Sequence, residues 1–146
     1  MNFENQSQEF DEGVSHALTV LQLIEENLKL YIRYSFKLIR VKLDISIPFK
    51  FNGDEYENSA LETLIKIFSK LSDNEELIKS LHKITGKRNF IAHQAMVQYI
   101  KGPNDGSYHN DQYTKIKNIA VEAWQRLALL QVDIDKLNER IMSNKC

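Results

Sequence analysis

Apolar residues recur at helical spacings over the first third of the chain. These positions are Phe10, Val14, Leu18, Leu21, Leu28, Ile32, Ile39 and Leu43. The spacing predicts one long first helix over residues 10–43. Because apolar residues cover most of its circumference, we expect this helix to lie at the centre of a helical bundle. Charged residues interrupt the same region, so we expect it not to span a membrane.

The helical pattern stops between residues 44 and 58. Ile45, Ile47, Phe49 and Phe51 alternate with polar residues or proline, and the turn sequence Asn-Gly-Asp follows at residues 52–54. This pattern predicts an ordered irregular loop or, at most, a short β-hairpin.

Two further helices are expected between residues 59 and 101. Asn58 or Ser59 is a candidate N-cap for a second helix, whose apolar positions are Leu61, Leu64, Ile65, Phe68 and Leu71. A turn at residues 72–74 precedes a third helix, which begins near Glu75 and continues to about Tyr99, with a possible bend at Gly86. The segment 102–106 is rich in glycine, proline and asparagine and is expected to be a loop.

The last 34 residues carry the most regular pattern. Apolar residues alternate spacings of three and four at Tyr113, Ile116, Ala120, Ala123, Leu127, Leu130, Ile134, Leu137 and Ile141. This stripe predicts a long helix facing the core, with a seam between two copies of the chain as the alternative. The fold class is therefore all-α: an up-and-down bundle of four to five helices, with the irregular segment 44–58 as its one long connection.

Composition supports one domain over residues 1–146. The chain is 42% hydrophobic with a formal net charge of −1, values that exclude a disordered chain. Its 5 glycines and 2 prolines argue against a turn-rich β-protein. The single cysteine, Cys146, excludes a disulfide framework, and the acidic start lacks the features of a secretory signal. We therefore expect a cytoplasmic protein.

The near-zero net charge hides a strong asymmetry. The first 28 residues hold six acidic residues and neither lysine nor arginine. A basic row follows on the first helix, at Lys29, Arg33, Lys37 and Arg40. The segment 79–101 is also basic and contains no acidic residue; Lys83 and Lys87 belong to it. Such rows are either solvated helix faces or a track for the phosphates of RNA, unless the acidic N-terminal region neutralises them.

The second basic segment contains Arg88, Asn89 and His93, separated by small or apolar residues. Arginine offers several N–H donors to a phosphate, and histidine exchanges protons near neutral pH. Cleavage of an RNA phosphodiester requires a base for the 2′-hydroxyl, an acid for the 5′-oxygen and a cation for the phosphoryl oxygens. These residue types meet that requirement without a metal or other cofactor.

In this context, the segment Arg88-Asn89-x-x-x-His93, late in the third helix of a small all-α chain, resembles the signature of the HEPN superfamily (higher eukaryotes and prokaryotes nucleotide-binding). The helical layout resembles that family over residues 10–142, whereas the sequence-specific part covers only residues 81–94. Many members are metal-independent endoribonucleases of toxin–antitoxin, abortive-infection and antiviral systems. Other members are inactive and bind RNA or proteins.

The resemblance implies a role for each residue of the motif. His93 would be the general acid and base, Arg88 would bind the scissile phosphate, and Asn89 would orient the phosphate or His93. Members paired with a nucleotidyltransferase antitoxin carry a tyrosine two residues after the histidine. This chain has Ala95 there, which argues against inactivation by adenylylation at that position.

Geometry adds the expectation of a homodimer. Residues five apart on a regular α-helix point about 140° apart, so Arg88 and His93 of one helix do not meet on one phosphate. Either the helix bends near Gly86 or a second copy completes the cleft. Arg88 is in phase with the apolar positions of its helix, so a structural ion pair with Glu25 or Glu26 is the alternative role for it.

The sequence is compatible with three functions. The first is a HEPN-type endoribonuclease, acting as a toxin or defence protein with an antitoxin or regulatory partner. The second is a non-catalytic HEPN-like module that binds RNA, a nucleotide or a protein. The third is a helical dimerisation protein, which requires Arg88 and His93 to be buried and paired within one copy.

Overall fold

The structure is a computed structural model that describes residues 3–44, 46–101 and 109–144, with side chains over 8–44, 46–97 and 112–144. Four α-helices account for most of it: α1 Phe3–Lys42, α2 Leu61–Leu71, α3 Glu75–Lys101 and α4 His109–Ser143. One 3-10 helix covers Asp54–Tyr56, and the described residues contain no strand. The prediction of an all-α helical bundle is confirmed, and the hairpin alternative for segment 44–58 is wrong. The predicted loop at 102–106 lies outside the described residues.

The core lies mainly between the two longest helices, since α1 packs more extensively against α4 than any other pair of helices packs. The apolar stripe predicted on the last helix is buried within the single chain from Ile116 to Ile141. Only its first member, Tyr113, is half-buried. The stripe therefore belongs to the core of one copy, which decides against a seam between two copies along this face of α4.

The second helix begins later than its candidate caps suggested. Ala60 is the N-cap of α2, without a side-chain hydrogen bond, so the predicted caps Asn58 and Ser59 are wrong. The backbone N–H of Ser59 donates instead to the carbonyl of Tyr56 and closes a turn between the 3-10 helix and α2. The sequence contains the pattern of a capping box. However, the backbone N–H of Ser59 is engaged by the preceding turn and is not available for the reciprocal bond of such a box.

The irregular segment between α1 and α2 contacts the C-terminal part of α1 through aromatic side chains and ion pairs. Phe36 of α1 lies 5.8 Å from the ring centroid of Phe49 and 6.0 Å from that of Phe51. Arg33 forms ion pairs with Glu57 and, at 3.8 Å, with Asp54. Phe49 of this segment therefore packs against α1, whereas Ile47 and Phe51 are more than half exposed, and the described residues form no strand here.

The third helix is continuous from Glu75 to Lys101 and passes through Gly86 without interruption. Asn74 fixes its start, because its Oδ1 accepts a hydrogen bond of 3.3 Å from the N–H of Leu77. The amide of the same side chain donates to Asp133 of α4 at 3.0 Å. Asn74 thus caps α3 and joins it to α4, which sets the relative position of these two helices near this end.

None of the helices in the described part of the chain combines the length and the apolar content needed to cross a membrane.

Candidate functional site

Arg88 lies at a core position of α3, between the buried residues Ile84 and Ile91. Its Nη2 is 3.4 Å from Oε1 of Glu25 on α1. The Glu25 side chain is only 9% exposed, whereas the Arg88 side chain is 41% exposed. The contact confirms the predicted structural ion pair and assigns it to Glu25.

This ion pair orients the Arg88 guanidinium through one of its nitrogen atoms, Nη2. A buried carboxylate needs a compensating charge, and Arg88 supplies one for Glu25. A guanidinium carries five N–H donors in a fixed plane, and the single carboxylate contact leaves several of them free. The Arg88 side chain is 41% exposed, so part of it remains in contact with solvent.

Asn89 and His93 lie on a different face of α3. Both side chains are exposed, in contrast to Arg88, which packs towards α1. Since α3 is continuous through this segment, Arg88 and His93 point about 140° apart. The structure therefore does not bring the two residues together within one copy of the chain. It also meets only one condition of the dimerisation-protein hypothesis, because Arg88 is paired but His93 is not buried.

The predicted basic row of α1 is partly neutralised. Lys29 is buried and forms an ion pair of 3.0 Å with Glu26, and Arg33 pairs with Glu57 and Asp54. The hydrogen bond from Lys29 is the largest cause that lowers the pKa of Glu26 below its ordinary value of 4.5. Lys37 and Arg40 are exposed, without an ion pair to any residue in the described ranges.

The predicted RNA-binding residues of α3 line a groove between α3 and α4. The groove has a volume of about 470 Å³. Its lining residues are Lys83, Gly86, Lys87 and Phe90 from α3, and Lys115, Asn118, Ile119 and Glu122 from α4. Lys87 forms an ion pair with Glu122 across the groove. Lys83 and Lys115 have no ion pair with described residues.

The α4 side of this groove was missed by the sequence analysis. The Nζ atom of Lys115 lies 4.5 Å from the centroid of the Phe90 ring, a cation–π contact between the two helices. The lining residues of α4 are spaced by three, one and three, so they share one face beside the core stripe. That spacing was the available signal, but it identifies no partner helix.

The described residues contain no group of three or more histidine, cysteine, aspartate or glutamate residues arranged to hold a metal ion. Described residues also line grooves elsewhere on the molecule. One of about 430 Å³ is lined by residues that include Tyr31, Asn74 and Asp133, and one of about 560 Å³ lies beside His16 and Trp124. Glu9 and Glu12 line the second, which makes it less suited to a polyanion than the groove between α3 and α4.

Comparison of the chain with protein-family models, with curated proteins and with solved structures found no match. The resemblance to HEPN proteins therefore rests on the residues around Arg88 and His93 and on the helical layout alone.

Proposed function

We propose that the protein is a metal-independent endoribonuclease of the HEPN type. The observation that carries the proposal is the state of the two motif residues on α3. Arg88 is oriented by a buried carboxylate and still partly exposed, and His93 is exposed one and a half turns further along. A fixed cation and a titratable imidazole, both accessible, are the groups that RNA cleavage requires.

In the proposed reaction, His93 takes the proton of the ribose 2′-hydroxyl, whose oxygen attacks the adjacent phosphorus. The bond to the 5′-oxygen breaks, and that oxygen receives the proton back from the His93 imidazolium. The products are a 2′,3′-cyclic phosphate and a free 5′-hydroxyl. Arg88 neutralises the charge that develops on the phosphoryl oxygens, and Asn89 orients the phosphate or His93.

The divergence of Arg88 and His93 supports a site built from two copies of the chain. In a two-fold symmetric dimer, Arg88 of one copy and His93 of the other can meet in one cleft. The biological role that fits such an enzyme is a cytoplasmic toxin or antiviral defence protein, restrained by an antitoxin or regulatory protein.

The first test compares wild type with His93→Ala on a structured RNA in the presence of EDTA. His82→Ala is the matched control, because His82 is also exposed on α3 but lies outside the motif. We expect fragments ending in 2′,3′-cyclic phosphate from wild type and His82→Ala only. Cleavage that disappears in EDTA, or persists in His93→Ala, would overturn the mechanism.

A mixing experiment tests the two-copy site. Arg88→Ala and His93→Ala are each expected to be inactive alone. After subunit exchange, half of the dimers are mixed and each contains one intact site, so about a quarter of wild-type activity should return. A site formed within one copy predicts no recovery, because every copy then carries one defective residue.

The second candidate function is a non-catalytic module that binds RNA. The observation that favours it is the engagement of Arg88 by Glu25, which satisfies part of the guanidinium within the fold. This function predicts salt-dependent RNA binding with no cleavage by wild type under any condition of the first test. Binding that does not change between low and high salt would exclude it.

A further inference from the structure

The groove between α3 and α4 combines features that the motif residues do not supply. Lys83 and Lys115, which have no ion pair with described residues, bring two cations from different helices to one concave surface. The Phe90 ring belongs to the same lining, and the Lys115 ammonium lies over it. The carboxylate of Glu122 is engaged by Lys87. The groove therefore presents an excess of two positive charges beside an aromatic ring.

The space in this groove depends partly on Gly86. A Cβ atom built at this position would meet nothing within 4 Å, so the glycine leaves open room rather than allowing a close helix contact. Most of the remaining wall is formed by long side chains with cationic ends, by Asn118 and by the half-buried Phe90 ring. A flat, apolar group with a negative charge on either side matches this lining.

The groove also lies next to the candidate catalytic residue. Phe90 and His93 are three residues apart on the same helix, which places them about 4.5 Å apart along the axis and about 60° apart around it. An extended ligand that occupies the groove therefore passes close to His93. Arg88 faces the opposite flank, towards α1, and takes no part in this surface.

We infer that the groove between α3 and α4 binds single-stranded RNA next to the cleaved bond. Lys83 and Lys115 contact backbone phosphates, and one base takes the place of the Lys115 ammonium against the Phe90 ring. Proteins that bind single strands combine a positively charged groove with aromatic side chains in this way, and a paired base cannot turn its face to the ring. The identity of the ligand as RNA rests on the proposed function.

The test measures binding apart from cleavage. The full-length His93→Ala chain is titrated with a fluorescent ten-nucleotide single-stranded RNA over a series of salt concentrations, and anisotropy reports the affinity. Adding Lys83→Ala and Lys115→Ala should weaken binding about tenfold at low salt. It should also reduce the slope of log affinity against log salt by about 1.4, because each phosphate contact on a single strand contributes about 0.7.

The matched control carries Lys66→Ala and Lys70→Ala, which remove two exposed lysines one turn apart on α2. It should bind as tightly as the His93→Ala parent. Phe90→Leu keeps an apolar side chain but removes the ring, and it should weaken binding about fivefold. A duplex of the same length should bind less tightly than the single strand and should be insensitive to Phe90→Leu.

Equal losses in the groove variant and the α2 control, or no loss in either, would overturn the groove assignment. An unchanged affinity in Phe90→Leu would overturn the base contact. These results are separate from the cleavage test. If wild type cleaves RNA but the groove variant binds normally, the groove inference fails and the proposed function stands. If wild type binds through the groove but never cleaves, the enzyme proposal fails and the groove stands.

Discussion

The two basic regions of this protein look alike in the sequence and differ in the fold. The α1 row (Lys29, Arg33, Lys37 and Arg40) places cations along one helix, where the two members nearest the bundle centre pair with acidic residues. The groove between α3 and α4 collects cations from two helices around one aromatic ring. A row on one helix is a line of charge on a convex surface, whereas two helices create a concavity.

The difference shows that a charge pattern has to be judged by its partners. Acidic residues that neutralise Lys29 and Arg88 come from the stretch of α1 just before the basic row, at Glu26 and Glu25. Others come from distant segments, as with Glu57 and Glu122. A segment that contains basic but no acidic residues can therefore still be neutralised by acidic residues from other parts of the fold. The cations available to a polyanion are those that the fold leaves without such a partner.

The largest expected effect concerns two glycines, Gly53 beside Arg33 of the α1 row and Gly86 in the groove between α3 and α4. Gly53 adopts a φ of 99°, and a Cβ there would lie 2.5 Å from Cγ and 3.1 Å from Cα of Arg33. Gly53→Ala should therefore lower the free energy of unfolding by about 3 kcal/mol, from backbone strain and the clash. Gly86→Ala, in the open groove, should raise it by about 0.5–1 kcal/mol through helix propensity. Urea denaturation measures both, and equal effects would contradict the comparison.

An intermediate effect concerns the ion pair between Glu25 and Arg88, which joins α1 to α3. Glu25→Ala leaves Arg88 without its partner at a core position and should cost about 1–2 kcal/mol, a value reduced by the partial exposure of Arg88. Because Arg88 lies on an apolar stripe, Glu25→Leu combined with Arg88→Leu should recover most of that loss. Thermal denaturation of Glu25→Leu, Arg88→Leu and the double variant checks this. Losses that simply add would show that the two side chains do not interact.

The smallest effect is the pH dependence of the Lys29–Glu26 pair. Lys29 holds the pKa of Glu26 below its ordinary value of 4.5. A carboxyl whose pKa is lower in the folded state stabilises the protein above its ordinary pKa, and this stabilisation disappears as the pH falls through the folded value. Lys29→Met should therefore reduce the stability lost between pH 5 and pH 3.

Lys37→Met is the control for this measurement, since Lys37 is exposed and has no ion pair with described residues. It should leave the acid profile of stability unchanged. Acid titrations followed by helical circular dichroism compare the three proteins. If Lys29→Met and the control shift the profile equally, the ion pair does not contribute to acid stability.

The helices were predictable from the sequence because their signal is local. The stripe on α4 and the apolar positions of α2 repeat every three or four residues, and the structure buries nearly all of them. The start of α2 was not predictable from its cap residues, because the turn closed by Ser59 and Tyr56 precedes it. Among the candidate site residues, Arg88 carried a visible sign of a second role in its phase with Ile84 and Ile91. The α4 residues of the groove showed only that charged, polar and apolar side chains share one helix face.

The sequence by itself determined the all-helical class, the approximate positions of the main helices and the buried stripes, whereas the first helix begins at Phe3 rather than at the predicted residue 10. The divergence of Arg88 and His93 required one structural fact, the continuity of α3 through Gly86, after which it follows from the helix pitch. Only the tertiary structure decided which acid meets which base and which cations remain unpaired. The physical reason is that periodicity fixes the face on which a side chain lies, whereas pairing depends on which other helix packs against that face. Glu25 reaches Arg88, and Lys115 reaches Phe90, across positions far apart in the chain.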